Sequence, residues 1–452
     1  MRTLRTHAVL LAILVAAAGL WPLAAQNQNQ QPEIELVIGG DGNSPPHYAV
    51  PDFVAATPEA AELAAMMSQV LWDDLAFERE FDLIPRDVYK TIPAARSADQ
   101  VPFSSWREVG ADAVFFCSVQ KSGDKVVVQA RLFNVRTRQQ VFSKEYTGTA
   151  SNPRLYAHTI ADEVHLQQRA LRGVARTKLT FVSDRNKERL LGPIDNREVK
   201  EIYVSDYDGA NQRRITTTRQ LNINPSWSPD GKAVAYSSYR NLTPQIFVSL
   251  IYQGVLENPT KSTTVSNMMP VFSPDGSKIA FVTNRDGNTE IYVMNRDGSN
   301  VRRLTNHPAY ESTPTWSPNG TQIAFTSDRT GKAQIYIMNA ADGSNVRRLT
   351  VSESEADRAT WSPAPFNEIA YAGRTSSNGF DIKVHDLATS TVKQITFGEG
   401  SNESPAYSPN GKHLAFTSTR AGGTQVFTIG RDGRGIKQLT RSGNNQTPAW
   451  SQ

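Results

Sequence analysis

The sequence predicts an N-terminal α/β domain followed by a six-bladed β-propeller, a chain that is mainly β overall. One aromatic position recurs at Trp227, Phe272, Trp316, Trp361, Tyr407 and Trp450, spaced 43 to 46 residues apart. A period in that range marks stacked supersecondary units. Ser-Pro-Asp-Gly or Ser-Pro-Asn-Gly follows the aromatic at 228, 273, 317 and 408. Proline presets the backbone of such a turn, Asp or Asn bonds the nearby main chain, and Gly accepts the positive φ of the exit. The chain also closes on TPAWSQ, residues 447–452, the opening phrase of the unit with no unit behind it.

From the N-terminus, MRTLRTH leads into the apolar run AVLLAILVAAAGLW and then to Ala24 and Ala25. A basic start, a short apolar middle and small exit residues form a secretory leader, expected to occupy residues 1–25. The run falls short of the roughly 20 apolar residues that a membrane anchor needs. Removing Arg2 and Arg5 with the leader lowers the formal charge from +4 to +2. So small a balance points to neither nucleic acid nor an anionic membrane surface as partner. Cys117 is the only cysteine and lies in the apolar AVFFCSV, so no internal disulfide is expected and burial in a strand is.

Residues 26–33, QNQNQQPE, read as a flexible polar arm. The α/β domain is expected over 34–172. IELVIGG and YAVPDF read as short strands, and Thr57 and Pro58 as the cap and first turn of a helix. Ala64, Met67, Leu71 and Leu75 recur at helical spacing and form its core stripe. Further strands are expected at FDLIP, ADAVFFCSVQ, KVVVQARLFNV and TRQQVFSKEYTG, and helices at SSWREVG and YAHTIADEVHLQQRAL.

The propeller is expected over 173–452. Each unit runs from PxWSPDG through an alternating strand such as KIAFVT, a polar loop, a strand such as EIYVMN, a DGSN turn and RRLT. That makes four strands, the pattern of a propeller blade. The first unit lacks its PxWS strand, and TPAWSQ is expected to supply it and lock the ring. SPAPFN at 362 and TKSTTVS in the second blade break the pattern locally.

The leader, the α/β stretch WREVGADAVFFCSVQ with YAHTIADEV, and the repeated SPDG, IAF, IYVMN and RRLT phrases together resemble the TolB family, periplasmic components of the Tol-Pal system of Gram-negative envelopes, from which the Gln/Asn arm, SPAPFN and TKSTTVS are departures. The resemblance implies a monomeric binding protein without catalytic chemistry or cofactor. Its implied partners are the lipoprotein Pal at the propeller, TolA at the mature N-terminus, and by extension other outer-membrane lipoproteins. Its implied role is outer-membrane integrity and invagination during division. The N-terminal contact falls on Glu33, Ile34, Glu35, Leu36, Val37 and Ile38, an alternating segment that can pair with its own sheet or with a partner's edge, but not both.

An enzyme is the competing expectation. A propeller-bearing serine hydrolase needs a GxSxG elbow on a separate domain, and no GxSxG occurs. His158 and His165 lie two helical turns apart, about 10 Å, too far to share a metal ion, and read as surface residues. A carbohydrate-active or sugar-binding propeller would need clustered channel histidines, whereas His307, His385 and His413 occupy unrelated repeat positions.

Partner specificity is expected on the face carrying the variable loops TTVSNMM, NHPAYES and FGEGSNE. Candidate contacts there are Ser266, Asn267, Met268, Met269, Glu311, Ser312 and Glu403, with the two methionines on an exposed loop or plugging the channel mouth. An arginine also ends the second strand of every unit, at Arg185, Arg240, Arg285, Arg329, Arg374 and Arg420. These guanidiniums either clip local structure or form a basic rim for an acidic partner; the first reading is preferred.

Overall fold

The computed structural model describes residues 44–189, 198–240, 243–376 and 379–452. The leader, the polar arm and the segment Glu33 to Ile38 lie outside them.

Three ten-residue strands, Ala113–Ser122, Lys125–Asn134 and Gln140–Thr149, form an antiparallel meander. Short parallel strands at His47–Ala49 and Asp82–Leu83 extend it, and Val54–Ala55 pairs with the first meander strand. Side chains alternate across this sheet, so it has two cores. Phe115, Cys117, Val128 and Leu132 face helices α1 (Ala61–Glu78) and α3 (Arg154–Arg169). Val114, Phe116 and Phe133 face Trp106 of helix α2 (Phe103–Glu108). Ala64, Met67, Leu71 and Leu75 are buried along α1. Thr57 does not cap α1: a 3-10 turn at Pro58–Ala60 intervenes, and the Thr57 hydroxyl donates to the Lys121 carbonyl at 3.0 Å. The cap is overruled by a bond that ties the helix start to the sheet.

Six four-stranded antiparallel sheets follow, and the outermost strand of the second is Val255–Glu257, ahead of TKSTTVS. The innermost strands are Asn445–Trp450, Asn222–Trp227, Asn267–Phe272, Glu311–Trp316, Ala356–Trp361 and Asn402–Tyr407, blades one to six. The first of these pairs antiparallel with Lys178–Ser183, Trp450 opposite Leu179 and Asn445 opposite Ser183. The end of the chain therefore completes blade one. Trp450 is 5% exposed and its indole N–H donates to Thr177 Oγ1 at 2.7 Å.

Every innermost strand carries a bulge, with its third residue left-handed: Asn224, Met269, Thr313, Arg358, Ser404 and Thr447 have φ between 45° and 54°. A bulge adds twist and re-aims the chain, which lets six strands converge on an axis. In the turn that follows, Ser228 Oγ donates to Asp230 Oδ1 at 2.5 Å and accepts the Ala233 N–H at 2.9 Å. The same Ser contacts recur at Ser273, Ser317 and Ser408.

The α/β domain docks on the face formed by these turns, across blades one and six. On blade six, Arg79 pairs with Asp432 at 2.9 Å, Lys412 with Glu80, and Asn410 Nδ2 donates to Glu78 Oε2 at 3.1 Å. Phe77 stacks on His413 with centroids 4.2 Å apart. On blade one, Arg154 pairs with Asp206 and Asp208, while Tyr207 donates to Asp74 at 2.7 Å. His158 Nδ1 lies 2.8 Å from Asp74, and its Nε2 lies 3.8 Å from Asp206.

His158 and His165, expected on the surface, are 2% and 1% exposed. The expectation is corrected because α3 buries a second face at this junction. Burial alone would lower His158, but the neighbouring Asp206 and Asp74 carboxylates outweigh that and raise it to about 9. Burial pushes the Glu78 carboxyl up to about 8.

Two predictions follow from this architecture. Trp450→Ala should cost about 3–5 kcal/mol in denaturant unfolding, the range for an emptied aromatic site; an unchanged midpoint would refute ring closure through this residue. His158 contributes stability that is full below its ordinary value of 6.5 and is lost as pH rises toward 9. Replacing it with Gln should therefore flatten the melting-temperature profile between those limits, and a profile parallel to wild type would assign the slope to other groups.

Candidate protein-docking face

The opposite face is built from the loops after each second strand and those leading into each innermost strand. The first residue of an innermost strand sits where two blades meet. Asn222, Asn267, Glu311, Ala356, Asn402 and Asn445 are all essentially fully buried. Four of these seams share one bond: Asn222 to Glu201 at 2.9 Å, Asn267 to Gln245 at 3.0 Å, Asn402 to Asp381 at 3.0 Å and Asn445 to Gln425 at 2.9 Å. In each the asparagine amide donates to a side-chain oxygen of the preceding blade.

The arginines lie beside these seams. Arg185 stands over Tyr203 at 4.4 Å, Arg240 over Phe247 at 4.8 Å, Arg285 over Tyr292 at 5.0 Å and Arg329 over Tyr336 at 4.7 Å. Arg374 stands over Phe380 at 4.4 Å, and Arg420 over Phe427 at 5.4 Å. A guanidinium over a ring face is held by the quadrupole. Several also reach the seam residue: Arg185 to Asn445 at 2.9 Å, Arg285 to Asn267 at 3.3 Å, Arg329 to Glu311 at 3.0 Å and Arg420 to Asn402 at 3.0 Å. Arg374 instead bonds Glu355 at 2.6 Å. These contacts join a blade's second strand to its own innermost strand, with Arg240 and Arg285 left more exposed than the other four.

Met268 and Met269 are not on an exposed loop. Both are half-buried within the innermost strand of blade three, Met268 opposite Val282 and Met269 at the left-handed position. Met269 lines the axial cavity of about 580 Å³, as do Thr313, Arg358 and Arg172. Asn267 and Glu311 likewise turn inward, while Ser266, Ser312 and Glu403 are half-buried. The strands begin earlier than the loop boundaries anticipated, which carries these side chains into the seams.

The face also exposes large apolar side chains. Tyr310, Val351 and Phe397 are 65%, 72% and 71% exposed, on consecutive loops entering blades four, five and six. Tyr310 and Phe397 lie within NHPAYES and FGEGSNE, so the loops were anticipated but their apolar tips were not. A lone large apolar residue in an otherwise polar loop was the available signal. Among the described residues no group of three or more His, Cys, Asp or Glu side chains is placed to hold a metal ion.

Residues 168–452 match the family model described as the TolB beta propeller domain, and residues 34–141 the one described as the TolB amino-terminal domain. The Tol-Pal system protein TolB of Cereibacter sphaeroides is 33% identical over 267 residues, 58% of this chain and 57% of that protein. The TolB of Desulfosudis oleivorans is 31% identical over 261 residues, 57% of each chain. The aligned stretch thus spans a little over half the length of these relatives. The crystal structure of TolB from Acinetobacter baumannii superposes with a TM-score of 0.74 at 24% identity, covering 90% of this chain and 96% of that one, a likeness of fold. With a propeller model matching well over half of its length, the chain belongs to the TolB family.

Proposed function

We propose that the protein is a non-catalytic periplasmic scaffold of a Tol-Pal envelope system. In this reading residues 1–25 export it, the open propeller face takes Pal, and residues 33–38 take TolA. The assembly supports outer-membrane integrity and invagination during division. One observation carries the reading: over blades one and six the turn face is occupied by the protein's own α/β domain, whereas the other face presents Tyr310, Val351 and Phe397 to solvent. The names of the relatives support the system, each being a Tol-Pal system protein TolB. No helix among the described residues is long and apolar enough to cross a membrane.

Tyr310→Asp with Phe397→Asp should weaken Pal binding at least tenfold in calorimetry while the melting temperature holds, because exposed loop tips carry little of the core. Deleting residues 26–38 should abolish TolA binding and spare Pal. Full Pal affinity in the double variant would move the site off these loops, and full TolA affinity after the deletion would remove the arm from the contact.

The arginine ring separates in the same assay. Arg329→Ala should lose about 1–3 kcal/mol of stability with its ring and Glu311 contacts and leave Pal affinity unchanged at a temperature where it is folded. Lost affinity without lost stability would restore the basic rim.

A further inference from the structure

The seam between blades three and four departs from the four asparagine seams, as does the one that carries Ala356. Where four seams set an asparagine amide against a side-chain oxygen, the seam of blades three and four sets Glu311 against Glu290, both fully buried. Glu311 Oε1 takes the part of an asparagine carbonyl, accepting from Arg329 Nη2 at 3.0 Å and from Ser327 Oγ at 2.9 Å. Glu290 Oε1 accepts from Arg303 Nη2 at 2.7 Å and from the His307 N–H at 2.8 Å. That leaves Oε2 of Glu311 where an amide nitrogen would stand. Oε2 of both residues is buried and accepts no hydrogen bond from the described residues. Two bare carboxylate oxygens buried at one seam each lack a donor, and the charge of Glu290 acts against that of Glu311.

We propose that this seam is a proton-operated latch, in which a hydrogen on Glu311 Oε2, donated to Glu290 Oε2, replaces the asparagine amide of the other seams. A guanidinium and a main-chain N–H both converge on Glu290 Oε1 and fix that side chain in the seam. The surrounding charges come from every neighbouring element. Blade three contributes Arg303, Arg285 and Asp286; blade four Arg329 and Asp328; the inner strand of blade five Asp357 and Arg358; and the connecting loop His307. Burial pushes Glu311 up to about 7, with Arg329 and Ser327 opposing and the Glu290 charge assisting.

The latch reaches the open face through the main chain. The His307 N–H rests on Glu290, Asn288 Nδ2 holds the His307 and Ala309 carbonyls at 2.8 and 2.6 Å, and the Tyr310 N–H rests on Asp328 at 2.7 Å. Losing the seam proton therefore loosens the loop that carries Tyr310, whichever partner that face takes. A carboxyl raised on folding confers stability that declines as pH climbs from its ordinary 4.5 through about 7.

Glu311→Gln supplies a permanent donor in the same shape, and Glu311→Asn restores the residue of the other seams. Thermal unfolding of the mature protein from pH 5 to pH 8 should show wild type falling a few degrees relative to either variant, with the three close together at pH 5. Carboxyl carbon NMR should find Glu311 titrating more than one unit above 4.5. Parallel melting profiles for wild type and both variants, or a Glu311 titration at its ordinary value, would overturn the latch.

Discussion

The pairing of Asn445–Trp450 with Lys178–Ser183 is the contact on which the rest of the molecule depends. A single blade leaves both faces of its sheet bare, so the blades are stable only as a closed ring. Covalent continuity links consecutive blades all round the ring, so the one non-covalent junction lies inside blade one, where Asn445–Trp450 meets Lys178–Ser183 from the other end of the chain. Building blade one from both ends makes opening that junction cost a full β-ladder and the Trp450 site together. The α/β domain lies across this blade and its neighbour, with Arg79 and Glu78 on blade six and Asp74 and Arg154 on blade one. Its core runs without a break into the propeller, since Phe181, Tyr203, Tyr207 and Trp450 belong to the same cluster as Leu71 and Leu132.

The repeat holds itself together through a small set of contacts used over and over. The turn serine closes the first hairpin, the left-handed bulge aims the strand along the axis, and the arginine clips the second strand to the innermost one. Because each is repeated, the departures are informative. Asn410 stands where two other blades have Asp230 and Asp275. At that position an amide can donate to Glu78, whereas a carboxylate would repel it. Blade four also carries asparagine there, Asn319, but only in blade six does the amide meet the α/β domain among the described residues.

Much of this architecture was legible in the sequence because its determinants are local. Period-two alternation, Ser-Pro-Asp-Gly turns and the orphan TPAWSQ each declare themselves within a few residues, and together they specify blade number and closure. The arginine positions were visible for the same reason. What escaped is non-local. Thr57 reads as a cap from its neighbours, yet its hydroxyl is claimed by Lys121 across the fold. Helical periodicity in α3 marks one buried face, while His158 and His165 are buried by a second surface that no local pattern announces. Asn267 and Glu311 read as loop residues because strand boundaries are soft in sequence and blade-to-blade burial is set by the ring.

The two faces of the propeller also differ for a physical reason. Tight turns locked by their own serine and aspartate or asparagine leave few main-chain groups free and offer a rigid surface, suited to permanent docking through ion pairs of fixed geometry. The loops on the other face are tied at their bases by seam residues and free at their tips, where Tyr310, Val351 and Phe397 stand in solvent. A surface of that kind can change its tips without disturbing the ring. A change confined to the tips leaves the seams, bulges and clips beneath them as they are.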